Sequence, residues 1–252
     1  MSHNILNILK TNQQLGKKSL AVLLDPDKLN ESKLAHFITL INQMEVDFIF
    51  VGGSLISSDN MEMVLSELGA KTFVPKVIFP GNGLHIYKQA DGILLLSLIS
   101  GRNAEFLIGQ HVVAAPALKR SGLEILPTAY ILVDGGRQTT VSYISNTTPV
   151  PNDKPDVAAC TAMAGEMLGM QLTYLDAGSG AQQPVSKEII KEVRKNIAAP
   201  LIVGGGINST QKASEALSAG ADVIVIGNAL EKDPSFLAEL SQIVKNYNYS
   251  LV

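Results

Sequence analysis

The chain is short of several things, and each shortage removes a class of protein. It has one cysteine, Cys160, which excludes a disulfide framework and a cysteine-rich metal site. Cys160 lies in an Ala-rich helical stretch and reads as buried filler. Only four histidines are present, His3, His36, His85 and His111, and none has the spacing of a zinc site. His36 and His111 fall in helical stretches and read as structural or surface residues. Lys and Arg number 20 against 23 Asp and Glu, giving a net charge of −3 and a pI near 5.8. A nucleic-acid surface would need clustered basic residues, so none is expected. No apolar run approaches the ~18 residues of a membrane-spanning helix. The opening MSHNILNILKTNQQ lacks the apolar core of a signal peptide. A cytoplasmic protein is expected, which leaves room for a lipid substrate or for peripheral contact with a membrane surface. The G-x-G-x-x-G dinucleotide fingerprint is also missing from the first helix, as are linkers, low-complexity stretches and solenoid repeats.

What is present is alternation. Short apolar runs at Leu20–Leu24, Phe48–Val51, Val74–Phe79, Ile93–Ser97, Ile125–Leu132, Thr173–Leu175, Leu201–Val203 and Val223–Ile226 read as eight strands. Helical patterns lie between most of them, at Glu31–Met44, Asn60–Gly69, Asn103–Ser121, Asp156–Gly169, Ser186–Asn196, Thr210–Ala219 and Pro234–Asn246. Repeated βα units imply a parallel sheet with right-handed crossovers. With 46% hydrophobic and 17% charged residues over 252 positions, the composition suits strands buried on both faces. A single (β/α)8 TIM barrel spanning residues 1–252 is the expected architecture, since its usual size is ~250 residues. One unit is irregular: PGNGLHIYKQAD, between Ile78 and Gly92, is too short and broken for a full outer helix, so the third helix is expected to be missing or replaced. The alternating Thr139–Ser145 run reads as an accessory strand or a loop over the active-site face.

Several strands end in Gly or Asp clusters, LLDPDK, FVGGS, IFPGN, LDAGSG, VGGGI and IGN. In a closed barrel these ends converge on the one face where barrel enzymes place their sites. The strand ends Tyr174 to Gly180, Gly204 to Asn208 and Gly227-Asn228 suit a phosphate, because glycine lets backbone N–H groups approach an anion. The bland alternative is tight βα turns. Asp25, in Asp25-Pro26-Asp27-Lys28, could hold Mg2+, which prefers one or two carboxylates with phosphate oxygens. Lys28 could add a point charge for a second phosphate group. The same stretch could equally be a turn whose Asp27 caps the next helix. Ser54 ends the second strand on the same face and offers a hydroxyl to a metal or diphosphate, or an ordinary helix cap. Period-two alternation points Tyr174 and Asp176 together towards the barrel mouth. There Asp176 would take a hydroxyl proton as general base, or only orient that hydroxyl. Lys76, within the third strand, is the residue a Schiff-base aldolase would use.

In this order, LLDPDK, the VGGS step, FPGN, SLISGRNAEFLIGQH, YLDAGSGA, VGGGI and IGNAL run from residue 23 to residue 230. Together they resemble the geranylgeranylglyceryl phosphate synthase family, whose relatives include bacterial heptaprenylglyceryl phosphate synthases. The likeness covers nearly the whole chain and falls with the archaeal-type and Bacteroidetes branch. It implies Mg2+-dependent transfer of a polyprenyl group, here geranylgeranyl, from its diphosphate to the C3 hydroxyl of sn-glycerol 1-phosphate. The product is an ether-lipid precursor. Matched residue by residue, Asp25 and Ser54 fall at the metal positions. Tyr174, Leu175, Asp176, Ala177, Gly178, Ser179 and Gly180, then Gly204, Gly205 and Gly206, then Gly227 and Asn228, fall at the glycerol-phosphate positions. Asp176 is one methylene shorter than the Glu that many relatives carry. The family's barrel lacks a regular third helix and forms dimers or hexamers, so a homo-oligomer is implied. The isoprenoid tail needs an apolar groove, for which Val157–Gly169 and the region around Phe106 and Ile108 are candidates. Two other functions fit a phosphate-binding barrel: a phosphosugar isomerase or aldolase, and a non-catalytic binding protein.

Overall fold

A computed structural model of the chain describes residues 4–57, 60–83 and 85–249. The strands are β1 (Ser19–Leu24), β2 (Phe48–Gly52), β3 (Lys76–Phe79), β4 (Gly92–Leu98), β5 (Glu124–Leu132), β6 (Leu172–Asp176), β7 (Leu201–Gly204) and β8 (Val223–Ile226). Each pairs in parallel with its neighbours in chain order, and β8 closes onto β1 through the Ser19↔Val223 register. The expected eight-stranded barrel therefore forms. Alternation decides which side chains fill it. Phe48, Phe50, Leu94, Leu126, Tyr130, Tyr174 and Ile202 are among the interior cluster. Ile49, Val51, Ile131, Leu175 and Val203 pack outwards against the helices.

The helices are α1 (Ile5–Gln14), α2 (Glu31–Gln43), α3 (Met61–Lys71), α4 (Gln110–Ser121), α5 (Thr140–Ser145), α6 (Pro155–Met167), α7 (Lys187–Asn196), α8 (Thr210–Ala219), α9 (Asn228–Lys232) and α10 (Phe236–Tyr249). α7 shows why they form. Ser186 accepts the Ile189 N–H as N-cap, and Ile189, Ile190 and Val193 bury one stripe of an otherwise charged helix. No described helix is long and apolar enough to cross a membrane.

α1 was not expected. It closes the N-terminal end of the barrel, where Ile5 and Leu9 join the interior cluster. Its first turn is capped from 119 residues away: Glu124 accepts the N–H groups of Ile5 at 2.6 Å and Leu6 at 2.9 Å. The barrel's far end is thus sealed, leaving the C-terminal mouth for chemistry.

Between β3 and β4 no helix occurs among the described residues, as expected. Three other expectations are corrected. Thr139–Ser145 is neither strand nor loop: it forms α5, started by a capping box between Thr139 and Ser142. Its apolar residues Val141 and Ile144 are three apart, which is a helical spacing. Cys160 is exposed rather than buried. α6 turns Ala158, Ala159, Ala162 and Gly165 inwards, and Cys160 points the other way. Those small residues also remove α6 as a groove wall. They permit close packing on the barrel, where a Cβ on Gly165 would stand 2.6 Å from Ala129 Cβ.

Candidate active site

The loops at the C-terminal ends of the strands enclose an open basin of about 770 Å³. Asp25, Lys28, Ser54, Tyr174, Asp176, Gly178, Ser179, Gly180, Gly205, Gly206, Gly227 and Asn228 all line it. Residues from five strand ends, spread over some two hundred positions of sequence, are thereby brought to one face. Three of the motif residues do not line it. Leu175 and Ala177 pack into the outer core. Gly204 lies under the Tyr174 hydroxyl, where a Cβ would approach to 2.5 Å.

Asp176 is buried, and both its oxygens are engaged. Oδ2 accepts from the Tyr130 hydroxyl at 2.5 Å, and Oδ1 accepts from the Gly178 N–H at 2.7 Å. Burial pushes its pKa up from the ordinary carboxylate value, and these two hydrogen bonds pull partly back. Tyr130 and Tyr174 are pushed well above the usual phenol value, first by burial and then by the adjacent Asp176 carboxylate. Both therefore stay neutral, and Tyr130 remains a donor. Phe79, Tyr130 and Tyr174 meet edge to face, with centroids 5.6–6.1 Å apart, and floor the mouth. Tyr130 was not singled out from the sequence. Its signal was a lone polar ring in the inward row Leu126, Thr128, Tyr130, Leu132.

The glycine loops interlock. Gly205 has φ +80°, and a Cβ there would stand 2.7 Å from Asp176 Oδ1 and from the Gly178 nitrogen. Only glycine lets the β7 loop close over the Asp176 carboxylate. Ser179 Oγ donates to Asn228 Oδ1 at 3.0 Å, tying the β6 loop to the start of α9. Thr140 of α5 also faces the basin, a residue hidden by the expectation of a strand or loop.

On the opposite rim, Asp25 caps a 3-10 turn (Pro26–Lys28) by accepting the Asp27 N–H at 3.1 Å. Its carboxylate lies 3.8 Å from where a Cβ on Gly53 would be, which brings it beside the β2 end that carries Ser54. Among the described residues no three His, Cys, Asp or Glu side chains gather into a metal cage. The Asp25 carboxylate and the Ser54 hydroxyl, beside one another at the rim of the open basin, fit Mg2+. That ion is commonly held by one or two carboxylates plus substrate phosphates.

A second, apolar cavity of about 90 Å³ begins where the missing helix would lie. Ile86, Ile93, Leu95, Phe106, Ala114, Leu118, Val141 and Ile144 are among its walls, and Ser54 and Phe79 line both cavities. The groove thus opens into the polar basin beside Ser54. Of the two groove candidates, only the Phe106 region contributes; Ile108 itself is exposed. Phe106 belongs to a π-helical turn (Glu105–Gly109) that leads into α4. Lys76 is at the other end of the barrel, paired with Asp91 at 3.0 Å.

Comparison with known proteins gives a consistent result. The chain is 57% identical to a geranylgeranylglyceryl phosphate synthase of Spirosoma linguale, over 98% of this chain and 99% of that protein. It is 40% identical to the same-named protein of Thermococcus gammatolerans, over 92% and 95%. Its fold superposes with a TM-score of 0.91, at 31% identity, on (S)-3-O-geranylgeranylglyceryl phosphate synthase from Thermoplasma acidophilum in complex with sn-glycerol-1-phosphate, covering 98% and 99% of the two chains. The model of the PcrB family matches residues 13–246. A match across that span, with relatives this similar over nearly their full lengths, means that the chain belongs to the PcrB family.

Proposed function

We propose that the protein is a geranylgeranylglyceryl phosphate synthase, a prenyltransferase that joins the C3 hydroxyl of sn-glycerol 1-phosphate to geranylgeranyl diphosphate. The observation that carries this function is the junction of the two cavities. A polar basin and an apolar groove meet at Ser54 and Phe79, with the Tyr130–Asp176 hydrogen bond beside the meeting point. A phosphosugar has no use for the groove, whereas a prenyl diphosphate needs both environments at once.

In this function the glycine loops of β6 and β7 and the start of α9 hold the glycerol phosphate through backbone N–H groups. The prenyl chain lies along the groove and places its diphosphate over Asp25 and Ser54. Asp25 and Ser54 would hold Mg2+, which supplies charge neutralisation for the departing diphosphate. The glycerol C3 oxygen forms its bond to C1 as the C1–oxygen bond to diphosphate breaks. Asp176 accepts the hydroxyl proton, and Tyr130 fixes the carboxylate that receives it. Much of the acceleration comes from holding the hydroxyl in line with C1. Phe79, Tyr130 and Tyr174 keep bulk water from the allylic carbon.

Neither alternative gains support. Lys76, the lysine an aldolase would need, is ion-paired at the closed end of the barrel. A binding protein would not need a buried carboxylate of raised pKa at the junction. Cytoplasmic location, peripheral membrane contact for the lipid product, and a homo-oligomer (dimer or hexamer) complete the proposal.

The test is product formation from geranylgeranyl diphosphate with each glycerol phosphate enantiomer, with Mg2+ and with EDTA. Ether product from sn-glycerol 1-phosphate alone, and only with the metal, is the expected result. No product from any prenyl chain of C15 to C35 would overturn the assignment.

A further inference from the structure

Lys28 is a candidate for contacting a phosphate, yet its ammonium is already held twice. Nζ lies 3.0 Å from Asp25 Oδ2, and 3.1 and 3.0 Å from the two carboxylate oxygens of Glu231. Glu231 is on α9, next to the Gly227-Asn228 strand end, and it lines the same basin. A carboxylate at an anion-binding rim works against the anion, so phosphate binding gives no reason for it. Its contact with Lys28 does. One ammonium facing two carboxylates can let go of either while remaining paired with the other.

We infer that Glu231 is a positioning residue that keeps Lys28 paired when Asp25 is given up to a divalent cation. This rests on the proposed role of Asp25 as the metal's carboxylate. Before the metal arrives, Lys28 neutralises Asp25. Once the metal takes Asp25, Glu231 retains the ammonium at the rim, where it faces the diphosphate instead of competing for Asp25. Without Glu231, the ion pair left to Lys28 among the described residues is the one with Asp25, so metal binding must break that pair with no second one to take its place.

The experiment counts Mn2+ bound, by electron paramagnetic resonance, to enzyme saturated with the unreactive thiolo analogue of geranylgeranyl diphosphate. Four proteins are compared: wild type, Glu231→Gln, Lys28→Met and the double variant. In the presence of Lys28, Glu231→Gln is expected to weaken Mn2+ binding about two- to fivefold, the size of one partly exposed ion pair. In the Lys28→Met background the same change is expected to have no effect. Equal weakening in both backgrounds would mean that Glu231 acts only as a nearby negative charge, which overturns the inference. Unchanged binding in Glu231→Gln overturns it as well, leaving the metal role of Asp25 intact. No Mn2+ binding by the wild type overturns the metal role and this inference together.

Discussion

The Tyr130 hydroxyl and Asp176 Oδ2 stand 2.5 Å apart across the β5–β6 register, buried at the barrel mouth. The bond holds the carboxylate in place and stabilises its ionised form against burial. Asp176 can act on a hydroxyl proton only when ionised, so the acidic limb of the pH–rate profile reports its pKa. Because that pKa is raised, wild-type activity should fall off at a pH above the ordinary ~3.9 of an aspartate. Tyr130→Phe removes one of the interactions that lower it, so the limb should move to still higher pH. A limb that stays in place would separate Tyr130 from the proton transfer.

Asp176→Asn keeps the shape and removes the charge. Loss of a positioned base should reduce kcat about 10²–10⁴-fold. Stability should become less dependent on pH. A raised carboxylate pKa means that folding favours the neutral form, so stability is fully present below the unfolded pKa and declines as pH rises through the folded one. The neutral amide escapes that decline but has one acceptor oxygen where the carboxylate has two, so its melting temperature should vary less with pH than that of the wild type. Thermal unfolding and steady-state kinetics on one preparation check both.

Gly205→Ala should damage both the site and the fold. Its φ of +80° and the 2.7 Å approach to Asp176 Oδ1 leave no room for a methyl group. The left-handed backbone alone should cost about 1–2 kcal/mol, read by urea unfolding. The KM for glycerol phosphate should rise because the loop can no longer close. A variant with native stability and KM would refute the close approach.

Groove length should set chain preference. Gln110, Ala114 and Leu118 follow one another along one face of α4, and with Ile93 they line the groove. Ala114→Phe should block it partway, lowering kcat/KM for geranylgeranyl diphosphate relative to farnesyl diphosphate by about tenfold or more. Leu118→Ala should instead favour longer chains. Competition between C15, C20 and C25 diphosphates, with products resolved by mass, decides the matter.

Glu124→Ala tests the closed end. Losing the acceptor for Ile5 and Leu6 should cost about 0.5–2 kcal/mol, as for a lost helix cap. kcat should not change, because the α1 contacts lie at the opposite end from the chemistry. A fall in kcat with unchanged stability would contradict that separation.

The parts of this protein legible in its sequence are those with local causes. Each strand carries its own apolar run, each outer helix its own 3.6-residue stripe, and the glycine loops sit where strands end. The shortness of residues 80–91 shows in the same way that no full helix fits. Even the inward direction of Tyr174 and Asp176 follows from period-two alternation on a strand of five residues. Thr139–Ser145 misled because its β-branched residues favour a strand, while a two-residue capping box was enough to start a helix.

Barrel closure decided the rest. Tyr130 meets Asp176 over 46 residues, Lys28 meets Glu231 over 203, and Ile5 is capped by Glu124 over 119. No local pattern records those pairs, because they depend on the register of eight strands and on the hand of each crossover. The groove is likewise made by what is missing between β3 and β4 and by the way α4 and α5 fold around the gap. Sequence by itself determined the eight strands, most of the outer helices, and the glycine and aspartate residues at the strand ends. Tertiary structure alone chose which ends face each other, because a side chain's partner across a closed sheet is set by every strand between them.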